Sequence, residues 1–130
     1  MDEVLKFLSE NTPFYIATVE NDKARVRPIG FVALHDGKLF FATKSQGNLY
    51  RQLQSNPNIE ISATNASYEW IRIEAIAELV SDTEVKQELV KARPTLERLS
   101  ADLEGLGVYC ATEPKAVLYS MTDAPRSIDL

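Results

Sequence analysis

The sequence predicts a mainly β protein, a small antiparallel β-barrel with peripheral helices. Three observations lead there. Runs rich in β-branched and aromatic residues recur at short intervals, at positions 14–19, 24–34, 39–43, 59–64, 68–80, 108–112 and 116–121. The connections between many of them are too short for a crossover helix, so neighbouring strands run antiparallel. The chain has 130 residues, 14 Lys+Arg against 19 Asp+Glu, 45% hydrophobic and 25% charged residues, which is the composition of one ordinary domain over positions 1–130.

The elements follow in order. Positions 2–10 carry Val4, Leu5 and Leu8 at helical spacing, and Asn11-Thr12-Pro13 stops that helix. Positions 14–19 and 24–34 form two strands joined by the polar turn Glu20-Asn21-Asp22-Lys23. Asp36-Gly37 suits the positive φ angles of a tight type I′ turn, making 39–43 a third strand antiparallel to the second. Leu49, Tyr50 and Leu53 mark a helix with Ser45 as its expected N-cap and Asn56-Pro57 as its stop. Ile59, Ile61 and Ala63 alternate with Glu60, Ser62 and Thr64 in a fourth strand. A long fifth strand puts Ile71, Ile73, Ala75, Ala77 and Leu79 on one face and Trp70, Arg72, Glu74 and Glu78 on the other. Ser81 and Glu84 read as a capping box for a helix that Arg93-Pro94 breaks, and Leu96, Leu99 and Leu103 continue at helical spacing. Two short strands, 108–112 and 116–121, follow across Glu113-Pro114-Lys115, and 122–130 reads as irregular.

Charge and composition exclude several classes. A net charge of −5 with no basic run argues against a general nucleic-acid binder. The lone Cys110 excludes an internal disulfide framework and a Cys-built zinc site, and dispersed carboxylates with one histidine offer no metal site. No stretch approaches a membrane span and the N-terminus lacks a signal peptide's pattern, so a cytoplasmic protein is expected. Side-chain catalysis has no support either: His35 sits beside the Asp36-Gly37 turn, far from any nucleophile motif, and Cys110 lies in an apolar strand. Chemistry here requires a borrowed cofactor.

Two segments are suited to hold one. Arg25 and Arg27 lie two apart and project from one face of a strand, where they serve either as a solvated face or as partners for a phosphate or an electron-rich ring. Pro28 interrupts the ladder and lets Pro28-Ile29-Gly30 approach a planar ligand. In Thr43-Lys44-Ser45-Gln46-Gly47-Asn48, hydroxyls and a lysine converge on a helix start, which is phosphate-binding chemistry without the nucleotide P-loop pattern.

These motifs together, with residues 14–19, Arg25-Val26-Arg27-Pro28-Ile29-Gly30, residues 36–43, Glu69-Trp70-Ile71-Arg72-Ile73-Glu74-Ala75 and Ala116-Val117-Leu118-Tyr119-Ser120, resemble the pyridoxamine phosphate oxidase-like, FMN-binding split-barrel superfamily over nearly the whole chain. The resemblance implies a six-stranded antiparallel split β-barrel that forms a homodimer, with FMN in the clefts between subunits. It implies that Arg25, Arg27 and Pro28 lie along the flavin, Ala42 and Thr43 near the ring and ribityl chain, and Lys44, Ser45 and Gln46 in the phosphate loop, with Asn48 added at the helix start. Trp70 matches a position that reaches the partner's site, either stacking or bonding there or packing the interface. The family's pyridoxal-holding Arg- and Trp-containing segment has no counterpart in residues 123–130, so vitamin B6 oxidation is not implied. The expected function is an FMN-dependent oxidoreductase taking electrons from NADH or NADPH to oxygen or a small quinone or nitro compound. The alternative is a flavin carrier or sensor, or a deazaflavin- or haem-binding split barrel.

Overall fold

The computed structural model describes residues 1–45, 47–93 and 105–130. The continuation of helical spacing through Leu96, Leu99 and Leu103 falls outside them, as does Gln46. In chain order the elements are α1 (Asp2–Glu10), β1 (Phe14–Glu20), β2 (Lys23–Ile29), β3 (Val32–His35), β4 (Lys38–Lys44), α2 (Asn48–Ser55), β5 (Asn58–Thr64), β6 (Trp70–Leu79), α3 (Thr83–Ala92), β7 (Leu106–Tyr119) and β8 (Arg126–Ile128).

The strands form one antiparallel sheet in the order β2-β1-β5-β6-β7-β4-β3, with β8 also on β7. Its two end strands, β2 and β3, are separated by only Gly30 and Phe31. Two residues span roughly 7 Å each way along an extended chain, so the sheet must roll until its ends nearly meet. No ladder joins β2 to β3, and the barrel is therefore split along that line. Read this way, β2 and β3 are one bent strand, and the six strands of the split barrel are β1, β2–β3, β4, β5, β6 and β7, with β8 a short addition. The expectation of a single straight run at 24–34 is corrected to two strands meeting at the bend that follows Pro28, whose missing N–H already weakens the ladder.

The inside of the roll is the main core. Alternate residues of the strands point there, among them Phe14, Ile16, Ile61, Ile71, Ile73, Leu39 and Phe41. Helix α1 closes it with Val4 and Leu8, one turn apart and fully buried, and α2 does so with Leu49 and Leu53. Fully burying such a side chain contributes about 1.5–3 kcal/mol. On the outside of β3, β4 and β7 a second cluster of Ala33, Phe40, Ala42, Val108 and Cys110 is covered by Leu89 of α3. That explains the unbroken apolar run at 39–42: β4 is buried on both faces.

Four further expectations are corrected. The N-cap of α2 is Gly47, not Ser45, because Ser45 is held back by its N–H donating to Gly105 O at 3.0 Å. The N-cap of α3 is Asp82, whose side chain accepts from the Glu84 N–H at 2.9 Å, so the cap is one residue later than Ser81. Positions 108–112 and 116–121 belong to one strand, β7; Ala75 of β6 faces the pair Glu113-Pro114, a bulge that absorbs the left-handed φ of 51° at Glu113. The tail is not irregular, since β8 pairs with Ala116, Val117 and Leu118 and buries Ile128. The Asp36-Gly37 turn is as expected, with φ of 50° and 73°.

Candidate functional site

The arginines of β2 stand on the inner face of the sheet. In the ladder Arg27 is opposite Ile16 and Arg25 opposite Thr18, so both share the face of Phe14, Ile16 and Thr18, at the rim where α2 packs on β1. A charged group there needs partners, and it has them. Arg27 donates through Nη1 to Thr18 Oγ1 at 3.0 Å and through Nη2 to Gln52 Oε1. The Thr18 hydroxyl donates to the same Gln52 oxygen at 2.5 Å, and Gln52 Nε2 donates to Glu20 Oε2 at 2.8 Å. Arg25 Nη2 donates to Glu20 Oε1 at 3.3 Å. Thr18 and Gln52 are buried and Arg27 is half-buried, so the network is anchored inside the rim, while its outer members Arg25 and Glu20 are 44% and 45% exposed to solvent.

Burial pulls the Arg27 guanidinium below its ordinary range, opposed by the charge of Glu20. Glu20 is held below the usual carboxylate range first by the Gln52 hydrogen bond and then by Arg25. Arg27 stays ionised, because an arginine starts far above neutrality.

The second segment lies at the end of β4. Thr43 is half-buried opposite Gly107, where a side chain on that glycine would press on Thr43 O and Tyr50 Cδ2 at 3.4 Å. Lys44 is exposed and its carbonyl accepts from the Gly47 N–H at 3.3 Å. Gly47 supplies no side-chain cap, and the first turn of α2 holds no acidic residue. Among the described residues no side chain caps the first N–H groups of α2, at the positive end of the helix. Asn48 is exposed and its Oδ1 accepts from Arg51 Nη2. Ala42 points the other way, into the cluster under α3.

Pro28 and Trp70 are on the outer face. Pro28 is opposite Tyr15, Tyr15 opposite Ser62, and Ser62 opposite Arg72, one row across four strands. Trp70 lies beside that row, half-buried, its ring stacked on Tyr119 at 5.5 Å and 9°. Arg72 lies over the same tyrosine at 5.6 Å and pairs with Glu60. Thus Arg27 meets α2 at Gln52, Arg25 bonds Glu20, and Lys44, Ser45 and Asn48 lie at the start of α2, whereas Pro28 and Trp70 are on the opposite side of the sheet and Ala42 is under α3.

Residues 1–122 match the family model described as pyridoxamine 5'-phosphate oxidase. The chain belongs to that family. Among solved structures of this pyridoxamine 5'-phosphate oxidase fold, a NimC/NimA family protein from Clostridium acetobutylicum is 32% identical and superposes with a TM-score of 0.92, covering 100% of this chain and 92% of that one. General stress protein 26 from Bacillus anthracis is 18% identical with a TM-score of 0.74 over 98% and 97% of the two chains. A haem-binding protein from Mycobacterium smegmatis is 13% identical with a TM-score of 0.73, covering 95% of this chain and 55% of that one. The last two show a shared fold. A search of curated proteins returned no significant match.

Sequence reasoning passed over Thr18, Glu20 and Gln52, which organise the arginines of this family member. A signal for one of them was present: Gln52 sits beside Leu53 and three residues after Leu49, a polar side chain on the apolar face of a short helix. Cys110, read from the sequence as a small buried hydrophobe, is buried, and burial pushes its thiol up and away from reactivity. Among the described residues no cluster of His, Cys, Asp and Glu is arranged to hold a metal ion, and no helix is long and apolar enough to cross a membrane.

Proposed function

We propose that this protein is an FMN-dependent oxidoreductase acting as a homodimer. The observation that carries the reading is the start of α2, a helix end with no side-chain cap and no acid in its first turn, preceded by Lys44 and Ser45, with Arg27 of β2 bonded to Gln52 about one turn further along. A phosphate group fits this donor set: it supplies the acceptors that the helix end lacks and the negative charge that lysine and arginine favour. When bound, FMN supplies hydride acceptance from NADH or NADPH and electron delivery to oxygen or a small quinone or nitro compound.

The chain's own groups have definite tasks in this reading. Lys44, Ser45, Gln46 and Asn48 anchor the phosphate, with Thr43 and Ala42 behind them at the strand end. Arg27, held rigid by Thr18 and Gln52, presents fixed positive charge near the ligand, and Arg25 adds to it. Trp70 and Pro28 act from the outer face, which belongs to the site of the partner subunit. That face supports dimerisation, since Val26 is 68% and Tyr15 48% exposed in the single chain, in line with the Trp70–Tyr119 stack. Haem has less support, because the one histidine, His35, lies 3.3 Å from Glu88 and 3.5 Å from Asp36 at the β3–β4 hairpin.

The test is a flavin titration of the wild type and of a Lys44→Ala/Ser45→Ala double variant. The reading requires weaker FMN binding with an unchanged dimer, and equal affinity would remove the phosphate assignment. Anaerobic mixing of the flavin-loaded protein with NADH and NADPH then separates a reductase, which bleaches promptly, from a carrier, which does not.

A further inference from the structure

We propose that Glu20 is a specificity-determining residue of this site, an internal carboxylate that occupies the Arg25–Arg27 face and must be displaced when a phosphate-bearing ligand binds. The inference rests on the proposed flavin site and deepens it. Glu20 ends β1 on the inner face, two residues beyond Thr18, and so projects toward the same rim as both arginines. Its two oxygens are divided between Gln52 Nε2 at 2.8 Å and Arg25 Nη2 at 3.3 Å. Arg51 of α2 also acts on it through its charge.

The charge balance is uneven. Three guanidiniums, those of Arg25, Arg27 and Arg51, surround one carboxylate. Arg27 is partly buried, and its hydrogen bonds go to a hydroxyl and an amide oxygen, so among the described residues no carboxylate is in contact with its charge. Among the described residues the Arg51 guanidinium bonds only the neutral Asn48 side chain. Such a face retains positive potential and takes an anion with several acceptor oxygens. Glu20 already fills part of it, and its charge opposes any second anion.

The hold on Glu20 is light. In its pair with Arg25 the side chains are 45% and 44% exposed, and pairs of that kind contribute little in water. Gln52 lies four residues after Asn48, about 6 Å along the α2 axis, so the carboxylate is within a Debye length of a phosphate at the helix start. An arriving phosphate therefore recruits Arg25 and turns Glu20 out to solvent, at a cost in affinity that a ligand without phosphate does not bear.

The experiment compares FMN with riboflavin, which lacks the phosphate, by fluorescence titration of the wild type and Glu20→Gln. Glutamine retains one oxygen for the Gln52 amide to donate to, and removes the charge together with the second oxygen that accepts from Arg25. FMN affinity is expected to rise by up to about fivefold, on the scale of one exposed charge pair, with riboflavin affinity unchanged. No gain for FMN, or an equal gain for both flavins, overturns the inference. Should Glu20→Gln fail to fold, Glu20→Thr carries the same comparison on a strand-compatible side chain. If the wild type binds neither flavin, the proposed function fails, and Glu20 is then read with inorganic pyrophosphate: a larger rise in melting temperature for Glu20→Gln than for the wild type supports its role, and equal shifts refute it.

Discussion

Gln52 of α2 holds together three groups from two strands: the Thr18 hydroxyl of β1, the Arg27 guanidinium of β2 and, through its amide nitrogen, the Glu20 carboxylate at the end of β1. Its removal leaves buried donors without acceptors, whose cost exceeds the net value of the bonds themselves. Gln52→Leu, close in size, is expected to destabilise by about 1–3 kcal/mol, read as a lower urea midpoint at unchanged slope. The carboxylates give a pH dependence. Glu3 is held below its ordinary value of 4.5 chiefly by the hydrogen bond from Arg126, and Glu20 by Gln52 and Arg25. A carboxyl depressed by folding contributes stability above its unfolded value, and that contribution is lost as pH falls through the folded value. Melting temperature should therefore fall as pH drops below about 4.5, and Glu3→Gln should flatten that fall by removing one of the groups. A variant with the same acid slope as the wild type would exclude Glu3 as a source.

At the scale of elements, strands were legible where alternation or a turn signal was strong, and their limits were not. The Asp36-Gly37 turn, the alternation of Ile59, Ile61 and Ala63, and the helix ending at Asn11 all stand in the structure as the sequence implies. The β7 strand was hidden because Pro114 resembles a turn; β6, ten residues long, pairs with both halves of β7 and turns the interruption into a bulge. The three-residue β8 was hidden because it is too short for any pattern and is held by β7 and by the Arg126–Glu3 pair. The arginines of the site were legible as a pair on one face, but which face depends on ladder register with β1, a tertiary fact. Two element-level outcomes follow. Asp82→Ala should cost about 1 kcal/mol by removing the α3 cap, while Ser81→Ala should leave stability nearly unchanged. Ile73→Ala, at the centre of β6 and fully buried, should cost about 2–5 kcal/mol in the same denaturation assay.

On the scale of the whole molecule, the split between β2 and β3 leaves β2 with a free edge, and the outer face around it carries Val26, Tyr15 and Pro28. A homodimer that buries this face accounts for apolar side chains that a solitary barrel would leave in water. Val26→Glu should then shift the sedimentation coefficient from dimer to monomer without loss of secondary structure; a dimer that persists would move the interface elsewhere. The central claim, however, is that the α2 start and the arginine rim receive FMN. The most direct measurement is the visible absorption spectrum of the purified protein after addition of FMN and removal of the unbound excess. A retained two-band flavin spectrum at close to one FMN per chain is the expected result, and a colourless protein that retains no FMN would contradict it.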